Sequence, residues 1–97
     1  MRAYRSLREL VCGAGATLVE EQEQADGFGS AYAVFLGSTG TSFRLIWDAK
    51  ESYGFLQRQI SSEEWKDAGS FVRERFGASL SDLPAFVATA RQLVAGH

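Results

Sequence analysis

One cysteine, one histidine, one methionine and one proline are all that 97 residues contain of these four types, and each scarcity closes off a class of chemistry. Cys12 alone cannot form an internal disulfide, which suits a reducing compartment and sets the cytoplasm as the expected location. One Cys with one His cannot assemble a zinc site, and no cofactor is expected. The histidine, His97, is the last residue. A terminus frays, and a catalytic base must be held within reach of its proton. No apolar run approaches the ~18 residues that would span a bilayer, so no membrane association is expected. The opening Met-Arg-Ala-Tyr-Arg-Ser-Leu-Arg-Glu carries arginines but no apolar stretch, and does not read as a secretory signal. Excess positive charge is also missing. The formal net charge is −2 and the pI about 5.3, against the basic face of a nucleic-acid binder, so nucleic acid is excluded as a partner.

Hydrophobic residues make up 45% of the chain and charged residues 23%, the balance of a folded globule rather than a disordered segment. No linker, repeat or low-complexity stretch divides it, so residues 1–97 read as a single domain. Ala3, Leu7, Leu10, Val11 and Ala14 recur at helical spacing and predict a helix over 3–12, with Gly13 and Gly15 as its stop. Residues 16–24 open as a strand at Thr17-Leu18-Val19. Glu20-Glu21-Gln22-Glu23-Gln24 then turns both faces polar, which places this strand at an edge or projecting beyond the core. Asp26-Gly27 signals a turn. Residues 31–36 and 42–48 are further strands, the second with Phe43, Leu45 and Trp47 inward, and Gly37-Ser38-Thr39-Gly40 is the turn between them. Residues 55–60 form a fourth strand.

Ser61 followed by Glu64 matches a capping box, and Ile60 with Trp65 matches a hydrophobic staple. Together they predict a helix from Ser62, with Trp65, Ala68, Val72 and Phe76 on its inner stripe, Phe71 beside it and Gly77 ending it. On that reading Ser61→Ala costs about 1 kcal/mol. A last helix is capped by Ser81, carries Pro84 in its first turn, and buries Leu83, Phe86, Val87, Ala90, Leu93 and Val94. The expected fold is α+β, in the order α-β-β-β-β-α-α: an antiparallel four-stranded meander packed against helices on one face.

No motif here carries recognisable chemistry. Cys12 reads as a small buried hydrophobe at a helix C-terminus, an end that disfavours a thiolate. Gly37 to Ser42 lacks the lysine and following helix of a phosphate loop. Glu20, Glu21, Glu23 and Asp26 lack calcium-loop spacing. The aromatics Phe35, Phe43, Trp47, Phe55, Trp65, Phe71, Phe76 and Phe86 read mostly as core, while Tyr32 and Tyr53 can keep a hydroxyl wet. Arg2, Arg5 and Arg8 read as a solvated helix face.

The reading that follows is a protein-binding module, not an enzyme, of the inhibitor or immunity type. It would mask a basic partner surface with Glu20, Glu21, Glu23, Asp26, Tyr32 and Tyr53, since acidic groups beside an open edge steer a basic partner and offer backbone pairing. Reversal of Glu20, Glu21 and Glu23 to lysine is then expected to spare the fold and abolish partner binding. One alternative is a small-ligand or catalytic domain built on Asp48, Glu51, Tyr53 and Arg58, which needs a cleft that raises one carboxylate pKa. The other is a homodimer, with the glutamates on the edge opposing sheet continuation.

Overall fold

The computed structural model describes residues 2–23, 29–74 and 80–96. Helix α1 (Arg2–Gly13) is followed by five strands, β1 (Thr17–Gln22), β2 (Ala31–Leu36), β3 (Ser42–Asp48), β4 (Tyr53–Ser61) and β5 (Glu64–Arg73), and by helix α2 (Leu83–Val94). Each strand pairs antiparallel with the next, giving one sheet in the order β1-β2-β3-β4-β5. The α+β class, the antiparallel meander and the edge position of β1 are as the residues predict.

Strand alternation sets which side is covered. Ala31, Ala33 and Phe35 of β2, Phe43, Leu45 and Trp47 of β3, Leu56 of β4 and Val72 of β5 point to one face and are buried. On that face they form one core with Ala3, Tyr4, Leu7 and Val11 of α1 and with Phe86, Ala90, Leu93 and Val94 of α2. Leu10, expected in the α1 stripe, is instead at the margin of exposure. Tyr4 takes a buried place that its hydroxyl had hidden from a purely apolar pattern.

The turn between β2 and β3 anchors α2. Both the backbone N–H and the hydroxyl of Ser38 donate to the Val94 carbonyl, each at 2.8 Å. This occupies donors in a loop that superficially resembles a phosphate cradle. Gly37 lies so close beneath the helix end that a Cβ there would sit 2.7 Å from the Val94 oxygen and 2.9 Å from that of Leu93.

One segment differs from its sequence pattern. Residues 64–73 are strand, not helix, so the domain has five strands and two helices among the described residues. Ser61 and Glu64 face each other across the β4–β5 hairpin, with Ser62 and Glu63 as its tip, and the Ser61-to-Glu64 spacing is that of a turn rather than a capping box. The cost assigned to Ser61→Ala through helix capping therefore has no basis. Without β5 the outer edge of the nine-residue β4 would lack its hydrogen-bond partners, and an unpaired backbone is costly. Gly69 disfavours a helix interior, and with φ 121° it serves the irregular register of β5 instead. Trp65 and Phe71 thus lie on the side away from the helices, and among the described residues of the proposed stripe Val72 alone is buried. Phe76 and Gly77 lie outside the described residues.

The α2 stripe is as expected, but its cap is not. Asp82 is the N-cap residue, in a left-handed conformation with φ 55°, and its side chain makes no capping bond. The Ser81 hydroxyl accepts from the Arg73 N–H at 3.1 Å, joining the loop before α2 to the end of β5.

Candidate functional site

The polar run of β1 has a structural explanation. Glu21 pairs in register with Ala33, and so faces the helices. There its carboxylate accepts from the Tyr4 hydroxyl at 2.6 Å and from Arg8 at 2.7 Å. Glu23 accepts two bonds from Arg5, at 2.9 and 3.1 Å, in the bidentate manner of a guanidinium. Arg5 and Arg8 stand one helical turn apart and present their charges to the edge strand. Burial works against the Glu21 carboxylate, but hydrogen bonds from Tyr4 and Arg8 outweigh it and hold its pKa below the ordinary range. The bonds from Arg5 do the same for Glu23. Burial, and then Glu21, push the Tyr4 hydroxyl well above its usual value.

These contacts give Glu21 and Glu23 partners within the chain, where the sequence alone reads them as free for docking and open to charge reversal. Glu21 and Glu23 clamp α1 to β1, and Arg5 and Arg8 are their partners rather than a merely solvated stripe. Glu20 pairs with Val34 and faces the opposite side; Asp26 lies outside the described residues. A carboxylate with a lowered folded-state pKa adds stability that is full above its unfolded pKa and is lost as pH falls through the folded value. Stability is therefore expected to decline below about pH 4.5, the ordinary value for Glu21. In Glu21→Gln this part of the decline is expected to be smaller, with a loss of about 2 kcal/mol at neutral pH. Urea melts of both proteins at neutral and acid pH check this.

The residues of the catalytic alternative do not converge. Asp48 Oδ1 accepts from the backbone N–H groups of Lys50 and Glu51, at 3.0 and 3.1 Å, as a turn aspartate does. Tyr53 pairs with Asp48 on the face away from the helices, whereas Arg58 pairs with Phe43 on the helix side. Among the described residues, no group of three or more His, Cys, Asp or Glu side chains is placed to hold a metal ion. Cys12 is exposed rather than buried; partial desolvation and Glu9 raise its pKa. No helix among the described residues is long and apolar enough to cross a membrane.

The face of the sheet turned away from the helices is the feature the sequence did not disclose. In register across four strands run Tyr32, Ile46, Phe55 and Phe71. None of them is buried, and Phe71 is 43% exposed. Tyr53, Phe55 and Phe71 form a triangle of rings with centroids 5.5–5.7 Å apart, within the range for favourable aromatic pairs. The Arg73 guanidinium lies 5.5 Å from the Tyr53 centroid. On the other side of the row, Arg44 lies 4.2 Å from the Trp65 centroid and donates to Gln57 at 2.7 Å. Gln57 in turn donates to Asp67 at 2.8 Å. Partial burial lowers the pKa of Arg44, and the arginine is fixed by a ring below and an amide beside it. Of the residues selected from sequence, Tyr32, Tyr53, Glu20 and Asp48 share this face. Ile46, Phe55, Phe71, Trp65, Arg44 and Arg73 were missed. The alternation of Arg44 and Ile46 with the inward residues of β3 was the available signal.

Comparison with family models, with curated proteins and with solved structures finds no match for this chain.

Proposed function

We propose that this chain is a protein-binding module whose docking surface is the uncovered face of its sheet. The observation that carries the proposal is the in-register row Tyr32, Ile46, Phe55 and Phe71, on which no described helix lies. Contiguous apolar surface rimmed by polar groups marks interaction sites on soluble proteins. The residues around the row are of the kinds that dominate binding energy: Trp65, Tyr53, Arg44 and Arg73. Two of these are held by stacking before any partner arrives, which lowers the ordering cost of binding.

The module acts by laying this face on a matching protein surface, the mode of contact that inhibitors and immunity-type proteins use. A cytoplasmic setting suits its exposed Cys12. The partner's chemistry differs from that read in the acidic run, because α1 engages Glu21 and Glu23. The face itself offers Glu20, Asp48 and Asp67 together with Arg44 and Arg73, and so fits apolar residues flanked by both signs of charge.

A photo-crosslinking residue at position 46, compared with one at the exposed Gln92 of α2, tests this in the native cell. Circular dichroism first confirms that both variants fold. An adduct of defined mass is expected from position 46 and not from 92. No adduct from 46, or the same products from both, overturns the proposal.

A further inference from the structure

The open face carries a charge pattern that is its own complement. Its central line is the row Tyr32–Ile46–Phe55–Phe71. On one side lie Asp48, Tyr53 and Arg73, paired across β3, β4 and β5; on the other lie Arg44, Gln57 and Asp67 on the same three strands. On β3 and β4 the flanking residues stand two residues from the row, or ~6.6 Å along the strand. A two-fold axis laid in the face along the central row exchanges these flanking rows. Asp48 of one copy then stands over Arg44 of the other, and Arg73 over Asp67, each contact occurring twice by symmetry. Tyr32, Ile46, Phe55 and Phe71 meet their own counterparts between them. The other in-plane axis, along β3, sets Asp67 over Glu20, which shares its row through Val34, Arg44 and Gln57. Those are like charges, so the pattern favours the first axis.

We infer that the occupant of the face is a second copy of this chain, docked sheet to sheet about that axis. The inference rests on the reading of the face as a docking surface and names its partner. Extent agrees with it: five strands spaced by ~4.8 Å and about seven residues at ~3.3 Å span on the order of 500 Å² before side-chain relief. That is the same order as the ~800 Å² that each partner of a stable dimer buries. Two sheets stacked in this way keep their strands within about 30° and interdigitate their facing side chains. The internal ion pairs of β1 play no part, so the charged edge is free to discourage sheet continuation.

The test is a charge-swap cycle read by sedimentation equilibrium on the purified full chain. The wild type is expected to be a dimer at micromolar concentration. Arg73→Asp and Asp67→Arg each create two like-charge contacts and are expected to weaken self-association by at least roughly tenfold. The double variant restores opposite charges and is expected to dimerise again. An equimolar mixture of the two single variants is also expected to form dimers, since each then meets its complement. A monomeric wild type, or single variants that associate as well as the wild type, overturns the inference. If the wild type is monomeric and position 46 crosslinks to a different protein, the docking face stands and its second-copy occupant falls. If position 46 crosslinks to nothing, both fall.

Discussion

Phe43→Ala is expected to lower the stability of the domain by about 3–5 kcal/mol, the range for emptying an aromatic site in a packed core. Phe43 is fully buried, stacks on Phe35 with centroids 5.5 Å apart, and sits on the central strand of the sheet. Among the described residues the core holds no buried polar or charged residue, so no such side chain is placed to fill the void. A domain of this size has roughly 5–15 kcal/mol in total, so the loss takes a large fraction of it. At about 4–8 °C per kcal/mol, the midpoint of a thermal melt is expected to fall by roughly 20 °C. A melt within a few degrees of wild type would contradict the assigned core.

Gly37→Ala has the second-largest expected effect, and its cause is backbone rather than cavity. The added Cβ would lie 2.7 and 2.9 Å from the carbonyl oxygens of Val94 and Leu93, atoms that cannot swing aside as a flexible side chain does. The C-terminal turn of α2 must lift, which strains both bonds from Ser38 to Val94. A cost of about 2–3 kcal/mol is expected, as for other overpacked sites. Gly13→Ala is the control. Nothing lies within 4 Å of the corresponding Cβ, and the substitution removes freedom from the unfolded chain, so a gain of about 0.5 kcal/mol is expected. Urea unfolding of the two variants decides the matter: equal effects would show that the β2–β3 turn does not abut α2.

The legible parts of this fold are those where one local rule agreed with the tertiary outcome. β2 and β3 were readable to the residue because their inward side chains alternate and glycine-rich turns bound them. α2 was readable from its apolar stripe, although its cap was not, because the Ser81 hydroxyl is taken by the Arg73 amide. The error over 64–73 came from a local signature with two meanings. Serine and glutamate three residues apart begin a helix, and equally flank a two-residue hairpin tip. The unpaired edge of β4 decides between them, and that edge exists only once the sheet has formed. The same cause hid the docking face. Once β5 is a strand, Phe71 falls in register with Phe55, Ile46 and Tyr32, and aromatics that look like surplus core become an exposed row. On β1 the acidic run was visible, but its role was not. Its partners Tyr4, Arg5 and Arg8 precede it by 13–18 positions, and only the antiparallel register shows that Glu21 faces them while Glu20 does not.

A dilution series followed by the backbone amide signals of the isotope-labelled protein addresses the self-docking face most directly. Shifts that grow with concentration are expected along Tyr32, Ile46, Phe55 and Phe71 and in the two rows beside them, with the outer surfaces of α1 and α2 unmoved. Concentration-dependent shifts confined to the helices, or to none of the strands β2 to β5, would contradict it.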